Sequence, residues 1–207
     1  MNAADADAAD SLAPRLPAGE FAAFIFDCDG TLAATMHQHY RSWLRAIEMQ
    51  GGGFAPSWEE FCSMGGMSVE DTLAAWEQRY GVALDPARVR ADTDAFLETV
   101  FHEMRPCAAV VAVARAAVAR GVKVAVASGG VRRRVLRTLR VIGLENFFPV
   151  VLAQEDVARV KPAPDLFLLA AQKLGVLPEQ CLVFEDSPKG KEAADAAGMH
   201  CVLVEPQ

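Results

Sequence analysis

The stretch that decides the expected fold is FIFDCDGT, residues 24–31. It joins a short apolar run, residues 24–26, directly to Asp27, Cys28 and Asp29. The length of the run, its aromatic and β-branched content and the following Gly30 predict a buried strand. Ligands of open α/β sheets bind beyond the carboxyl ends of the strands, so the carboxylates that follow this strand are candidate functional groups.

Four more apolar runs occur later in the chain, at residues 122–127, 148–152, 181–184 and 201–204. Helical periodicity predicts helices over 107–120, 131–142, 163–174 and 188–197, and each is followed by a glycine that suits a helix C-cap: Gly121, Gly143, Gly175 and Gly198. Strands that are apolar throughout and separated by helices are typical of a parallel sheet covered on both faces. The sequence therefore predicts an α/β fold with a doubly wound parallel sheet.

The chain divides into three parts by pattern. Residues 1–19 are rich in Ala and Asp, show no helical stripe and are expected to form a flexible tail. Residues 36–105 contain helical pieces but no convincing strand, with predicted helices over 37–50, 69–80 and 87–104. We therefore expect a core domain of residues 20–35 and 106–207, with residues 36–105 inserted after the first strand as a helical cap.

Composition excludes several functional classes. The formal net charge is −7, from 27 Asp+Glu against 20 Lys+Arg, so binding to nucleic acid or to an anionic membrane surface is not expected. No apolar run approaches the roughly 20 residues of a membrane span, and the first residues do not resemble a signal peptide. The five cysteines are scattered and form no CxxC pair, which indicates neither a disulfide framework nor a zinc site. A cytoplasmic protein is expected.

The predicted strand ends bring together a distinctive set of polar groups. Asp27 and Asp29 follow the first strand, Ser128 and Gly129 the second, and Glu185 and Asp186 the fourth, while Lys161 lies ahead of the helix after the third. Carboxylates this close repel one another unless a cation relieves them, and oxygen ligands of this kind suit Mg²⁺. A metal and Lys161 would also reverse the local field, so a phosphate group could approach an acidic protein.

This set resembles the haloacid dehalogenase superfamily of phosphotransferases. The four motifs of that superfamily stand in their usual order, as residues 27–31, Ser128, Lys161 and the acidic pair 185–186. The insertion at 36–105 is similar in position to the superfamily's C1 cap. Residues 161–165 and 183–190 most resemble the β-phosphoglucomutase-like branch, which includes small sugar-phosphate phosphatases.

The resemblance implies a two-step mechanism. Asp27 would attack phosphorus and form an aspartyl-phosphate, and Asp29 would serve as general acid and then as general base. Ser128, Gly129 and Lys161 would bind the phosphoryl group. The family's Mg²⁺ ligands correspond here to Asp27, the backbone carbonyl of Asp29 and Asp186, with Glu185 bound directly or through water.

The cap offers two candidate contacts with substrate. His39 falls where sugar-phosphate members of the branch often have a histidine, although a packing role is an equal alternative. Gly66 lies in a loop that faces the site in relatives, although its glycines also suit a helix–helix turn. Arg132, Arg133 and Arg134 open the helix after Ser128, where their charge opposes the helix dipole; one of them could reach phosphate.

The expected function is Mg²⁺-dependent hydrolysis of a small phosphorylated metabolite, such as a sugar or polyol monophosphate. The enzymatic alternative is a hexose-phosphate mutase, and the alternative of another class is a phospho-aspartate signalling receiver. Two departures from the family pattern stand out: Ala34 replaces the usual Asp at the hinge into the cap, and Val69 stands where mutases carry an Arg. The second favours hydrolysis. A monomer is the default expectation.

Overall fold

The computed structural model describes residues 19–65 and 67–205, so most of the predicted tail and Gly66 lie outside the described residues. Its main sheet has five parallel strands in the order β5-β4-β1-β6-β7. Their bounds are Ala23–Phe26 (β1), Lys123–Ala127 (β4), Val150–Leu152 (β5), Cys181–Glu185 (β6) and His200–Leu203 (β7). Two short strands, Ala33–Ala34 (β2) and Arg105–Pro106 (β3), pair antiparallel in a separate sheet.

The segment between β2 and β3 is helical throughout its regular structure. Its helices are Met36–Met49 (α1), Trp58–Ser63 (α2), Val69–Tyr80 (α3) and Pro86–Val100 (α4), followed by a 3₁₀ turn at Phe101–Glu103. These helices bury a cluster of their own, centred on the fully buried Trp76 and including Ala46, Ile47, Phe61, Leu73 and Val89. The helix α2 is absent from the sequence prediction because six residues are too few to show a period.

The central strands are buried on both faces, as the uniformly apolar runs predict. Phe24 and Phe26 point to one face, where Ala108–Ala119 (α5) and Arg132–Val141 (α6) contribute to the core. Ala23 and Ile25 point to the other, against Asp165–Leu174 (α7) and Pro188–Ala196 (α8). The predicted α/β fold with a doubly wound parallel sheet is therefore confirmed.

The chain leaves the core and returns to it through the paired strands β2 and β3. Ala34 pairs with Arg105, and the Cys107 amide donates to the Leu32 carbonyl at 2.9 Å. The sequence predicts no strand here, since two residues per strand carry no alternation to read. Within the described residues, no helix has both the length and the apolar character that crossing a bilayer requires.

Candidate active site

The carboxyl end of β1 delivers Asp27 to the middle of the sheet edge. Phe26 is in register with Val126 of β4 and with Phe184 of β6, and the Asp27 amide donates to the Phe184 carbonyl at 3.0 Å. Glu185 ends the neighbouring strand β6. The parallel register therefore places the first and fourth motifs side by side.

Lys161 joins these two carboxylates. Its Nζ lies 2.6 Å from Asp27 Oδ1 and 2.6 Å from Glu185 Oε1, and the side chain is buried. Burial by itself lowers the pKa of a lysine, but the charges of Asp27 and Glu185 outweigh that effect and raise it. Lys161 is therefore a permanent cation beside the carboxylate of Asp27.

Glu185 is fully engaged by protein donors. Its Oε2 accepts hydrogen bonds from the backbone amides of Asp186 and Ser187, each at 2.9 Å, and from Ser187 Oγ at 3.0 Å. Ser187 caps α8 by accepting from the Gly190 amide at 3.0 Å, as Ser before Pro at a helix start predicts. A Cβ on Gly190 would fall 1.9 Å from the Glu185 carboxyl carbon, so only glycine leaves room for this carboxylate.

Asp29 is held by the first residues after β2. Thr35 Oγ1 donates to Asp29 Oδ1 at 3.0 Å and accepts from the Gly30 amide at 3.2 Å. His39 Nε2 lies 3.6 Å from the same Asp29 oxygen, within ion-pairing distance but beyond a hydrogen bond. Although burial opposes it, the nearby His39, Arg134 and Thr35 lower the pKa of Asp29, which favours the ionised form that can accept a proton.

The surroundings of Asp186 and Asp27 shift their pKa values upward, in the opposite direction to the shift at Asp29. Burial, followed by the charge of Glu185, raises the pKa of Asp186 to about 7. Burial also raises the pKa of Asp27, with Glu185 and Asp186 adding to the effect and Lys161 opposing it. One lysine therefore does not fully compensate this group of buried acids, and the donor set fits a further cation.

Few protein side chains would bind that cation directly. Among residues 19–65 and 67–205, no three His, Cys, Asp or Glu side chains form a group that could hold a metal. Mg²⁺ is commonly bound by only one or two carboxylates, with waters and substrate oxygens completing its shell. The donors that fit this pattern are the carboxylates of Asp27 and Asp186 together with the backbone carbonyl of Asp29.

Ser128 stands at the end of β4 on the other side of Asp27. Its side chain is buried, and its Oγ accepts from the Gly130 amide at 3.1 Å. A Cβ on Gly130 would lie 3.3 Å from Ser128 Oγ and 3.5 Å from Asp29 Oδ2. The Ser128 hydroxyl and the Asp29 carboxylate therefore both lie beside Gly130. Gly129 is exposed at the same edge, with open space around its Cα.

The helical segment contacts this edge directly. A Cβ on Gly65 would lie 3.3 Å from the Ser187 Cβ, and His39 approaches Asp29. The structure therefore brings together Asp27, Asp29, Ser128, Lys161, Glu185, Asp186 and His39, whereas the predicted contact at Gly66 lies outside the described residues. Arg132, Arg133 and Arg134 are each paired with a carboxylate, those of Asp156, Glu98 and Asp94 respectively. Arg134 also lies near enough to Asp29 to lower the pKa of that carboxyl, and a contact of one of these arginines with phosphate stays a prediction.

Sequence reasoning missed two threonines. Thr35 positions Asp29, and the buried Thr31 donates from Oγ1 to Asp186 Oδ1 at 3.2 Å. The bond from Thr31 spans 155 residues of sequence, so no local pattern could reveal it. The signal for Thr35 was its place just before a helix, where threonine commonly bonds nearby backbone groups.

Gly30→Ala is expected to disrupt the site through a steric clash. Gly30 has a φ of 79°, and its added Cβ would fall 2.2 Å from Asp186 Oδ2. Displacing that carboxylate should weaken Mg²⁺ binding by about ten- to hundredfold, as loss of supporting groups at metal sites does. Calorimetric titration with Mg²⁺ measures the effect. Gly121→Ala is the matched control, because Gly121 has a similar φ of 77° but no atom within 4 Å of the added Cβ; equal losses in both variants would contradict the steric explanation.

Comparison with known proteins agrees with this geometry. The sequence model of the haloacid dehalogenase-like hydrolases matches residues 24–204. The chain is 34% identical over 185 residues to the fructose-1-phosphate phosphatase YqaB of Escherichia coli, covering 89% of this chain and 96% of that protein. It is 26% identical over 187 residues to the phosphorylated carbohydrates phosphatase of Thermotoga maritima, covering 86% and 82%.

A solved structure shows the same similarity. The crystal structure of CbbY from Rhodobacter sphaeroides in complex with phosphate superposes with a TM-score of 0.74 at 26% identity, covering 90% of this chain and 87% of that one.

Proposed function

The chain belongs to the haloacid dehalogenase-like hydrolase family, and from that premise we propose that this phosphoric monoester hydrolase is a Mg²⁺-dependent phosphatase of small phosphorylated carbohydrates. The observation that carries the proposal is the buried group formed by Asp27, Lys161 and Glu185, with Nζ 2.6 Å from both carboxylates. A buried carboxylate beside a permanent cation is suited to approach an anionic phosphoryl group. We further propose that residues 36–105 form a cap over a core of residues 20–35 and 106–207.

The first step transfers the phosphoryl group to the protein. An oxygen of Asp27 attacks phosphorus, and the bond from phosphorus to the substrate oxygen breaks. Asp29, which Thr35 holds at 3.0 Å and whose ionised form its surroundings favour, takes up a proton from solvent before this step and gives it to the leaving alcohol. The product on the enzyme is an aspartyl-phosphate, which divides one difficult displacement into two.

The second step returns the enzyme to its starting state. Asp29, now ionised, takes a proton from water, and the water oxygen attacks phosphorus. The bond between phosphorus and Asp27 breaks, releasing inorganic phosphate and a protonated Asp29. Lys161 and the Ser128 hydroxyl, which flank Asp27 at the sheet edge, stabilise the charge on the phosphoryl oxygens in both steps.

Asp27, the Asp29 carbonyl and Asp186 are the residues that would hold Mg²⁺. When bound, the ion would neutralise charge between the carboxylates and the transferring phosphoryl group. Glu185 contributes differently, because its two oxygens already accept from Lys161 and from the start of α8. We propose that Glu185 positions Lys161 and Asp186 and contacts the ion only through water.

The stabilising effect of Mg²⁺ is expected to depend on pH. In the unfolded chain Asp ionises near pH 3.9, whereas the folded protein raises the pKa of Asp186 to about 7. Between these values the folded metal-free protein binds more protons than the unfolded chain, so its stability falls as the pH rises. Mg²⁺ competes with the proton and should therefore raise the melting temperature more at about pH 8 than at about pH 5.5. Differential scanning calorimetry tests this, and a larger shift at the lower pH would refute it.

The substrate is proposed to be a sugar or polyol monophosphate. Two full-length relatives are phosphatases whose names specify fructose 1-phosphate and phosphorylated carbohydrates. His39, which approaches Asp29 from the cap, and Gly66 are the proposed cap contacts with the sugar. Release of inorganic phosphate from a panel of phosphorylated sugars, polyols and glycolate, with and without Mg²⁺, tests the proposal. Activity confined to non-carbohydrate esters would contradict the proposed substrate class.

The mutase alternative is separated from hydrolysis by its products. Val69, the first residue of α3, stands where the mutase pattern has an arginine, and this favours hydrolysis. A mutase would convert one hexose phosphate to another, whereas a phosphatase accumulates inorganic phosphate. A signalling receiver would show a long-lived phosphoprotein with negligible turnover.

A further inference from the structure

The helix α6 carries five arginines among its ten residues. None of them has a role in the proposed steps, although the charge of Arg134 helps to lower the pKa of Asp29. In the structure each arginine has a carboxylate within ion-pairing distance. Two pairs stay within the core: Arg132 with Asp156, and Arg140 with Glu145. The other three arginines reach across to α4 of the helical segment. Because every arginine is paired within the chain, α6 does not present an uncompensated basic surface to an acidic partner.

The contacts with α4 form one compact group. Asp94 and Glu98 are four residues apart and therefore lie on one face of α4. Asp94 pairs with Arg134, while Glu98 pairs with Arg137 and lies 3.5 Å from Arg133. The Arg137 guanidinium also lies 3.9 Å from the centre of the Phe101 ring, just beyond the end of α4. Charge and aromatic contacts together hold α4 against α6.

The position of this group in the chain gives it a mechanical role. The helix α4 leads through Phe101–Glu103 into β3, which pairs with β2. The helical segment is thus connected to the core by two strands that lie side by side, and such paired connections would serve as an axis if the segment rotates. Asp94 and Glu98 lie beyond that axis on the moving side, while the arginines lie on the core. Such a rotation would separate the two sets of charges.

In the structure the helical segment contacts the core beside the site. A Cβ on Gly65 would lie 3.3 Å from the Ser187 Cβ, and His39 lies 3.6 Å from Asp29. Substrate must reach Asp27, whose side chain is buried. We propose that Asp94 and Glu98, with Arg133, Arg134 and Arg137, form an electrostatic latch that holds the cap closed and breaks when the cap opens. The latch requires only that the cap opens for ligands, whatever the substrate is.

Cys62 offers a reporter of opening in the native chain. It is half-buried in α2, three residues before Gly65, where the helical segment meets the core. Its alkylation by N-ethylmaleimide, followed by peptide mapping, measures how often this junction opens. Mapping separates Cys62 from Cys201, which is also half-buried, while Cys28, Cys107 and Cys181 are buried.

The test removes the acidic half of the latch with Asp94→Asn and Glu98→Gln together. Alkylation of Cys62 should become about fivefold faster, the size expected when a few exposed ion pairs are lost. Salt of about 0.5 M should accelerate alkylation in the wild type by screening the pairs, but not in the double variant. The control is Glu145→Gln, which removes the partner of Arg140 on the same helix but breaks no contact with the cap; its rate should stay unchanged.

Charge exchange provides the decisive variant. Asp94→Arg combined with Arg134→Asp should return the alkylation rate to within about twofold of wild type, whereas Arg134→Asp alone should accelerate it. The latch is overturned if the double neutral variant keeps the wild-type rate, or if Glu145→Gln accelerates alkylation equally. Should the double variant fold poorly, the salt response of the wild type decides: an unchanged rate in high salt overturns the proposal.

Discussion

Asp27→Asn is expected to reduce phosphate release by at least about a thousandfold while leaving the fold intact. The amide is a poor nucleophile, so the covalent step is lost. It also carries no charge, so Lys161 and Glu185, 2.6 Å apart, remain as a neutral pair, and the structural cost is small. Steady-state hydrolysis of a generic phosphate ester in saturating Mg²⁺ measures the loss, and the melting curve verifies folding.

Two controls sharpen this prediction. Cys28→Ala changes the residue between Asp27 and Asp29, a buried thiol whose pKa burial raises, and should retain activity within about tenfold. The Asp27→Asn variant is also measured after a second, independent purification, so that residual activity from a contaminating phosphatase can be recognised. A folded Asp27→Asn enzyme that hydrolyses the ester as fast as wild type would exclude Asp27 as the nucleophile.

Lys161→Met is expected to affect both stability and activity. Methionine fills a similar volume but leaves Asp27 and Glu185 buried without a cation. Removal of one partner from such a buried group costs about 3–5 kcal/mol of unfolding free energy. The loss should be larger at about pH 8 than at about pH 5, since protonation relieves the unpaired carboxylates at the lower pH. Loss of a fixed positive charge at the phosphoryl group should lower kcat by at least about a hundredfold.

Lys123→Met is the matched control for this change. Lys123 begins β4, is exposed and donates to the Leu174 carbonyl at 2.6 Å, and within residues 19–65 and 67–205 it pairs with no carboxylate. Lys123→Met makes the same change of charge and shape, and it should lower the free energy of unfolding by no more than about 1 kcal/mol. Urea unfolding of both variants at the two pH values makes the comparison. Equal losses at Lys161 and Lys123, or a loss at Lys161 that does not depend on pH, would show that the buried ion pairs contribute no special stability.

The sheet and its functional edge were predictable because the strands carry strong local signals. The apolar runs of β1, β4 and β6 lead directly into the polar residues Asp27, Ser128 and Glu185, and the parallel arrangement brings those ends to one edge. The predicted helix ends lie close to the observed ones, and the glycines that follow them all have positive φ values: Gly121, Gly143, Gly175 and Gly198. Local periodicity and capping chemistry therefore suffice for the core.

The contacts between the helical segment, residues 36–105, and the rest of the chain were not predictable in the same way. Arg134 and Asp94 are forty residues apart in sequence, and no local pattern shows that α4 packs against α6. Likewise α4 was predicted to continue to residue 104, whereas it ends at Val100 and a 3₁₀ turn leads into β3. Long-range packing determines these features, so they emerge only from the folded chain.

In the proposed mechanism Asp27 carries the phosphoryl group between the two chemical steps. Acid quenching of a single turnover within milliseconds, followed by peptide mass spectrometry, detects this intermediate. We expect a peptide heavier by one phosphoryl group, with the modification on Asp27, that appears and disappears at rates consistent with kcat. A modification on another residue such as Ser128, or turnover in which no residue becomes phosphorylated, would contradict it.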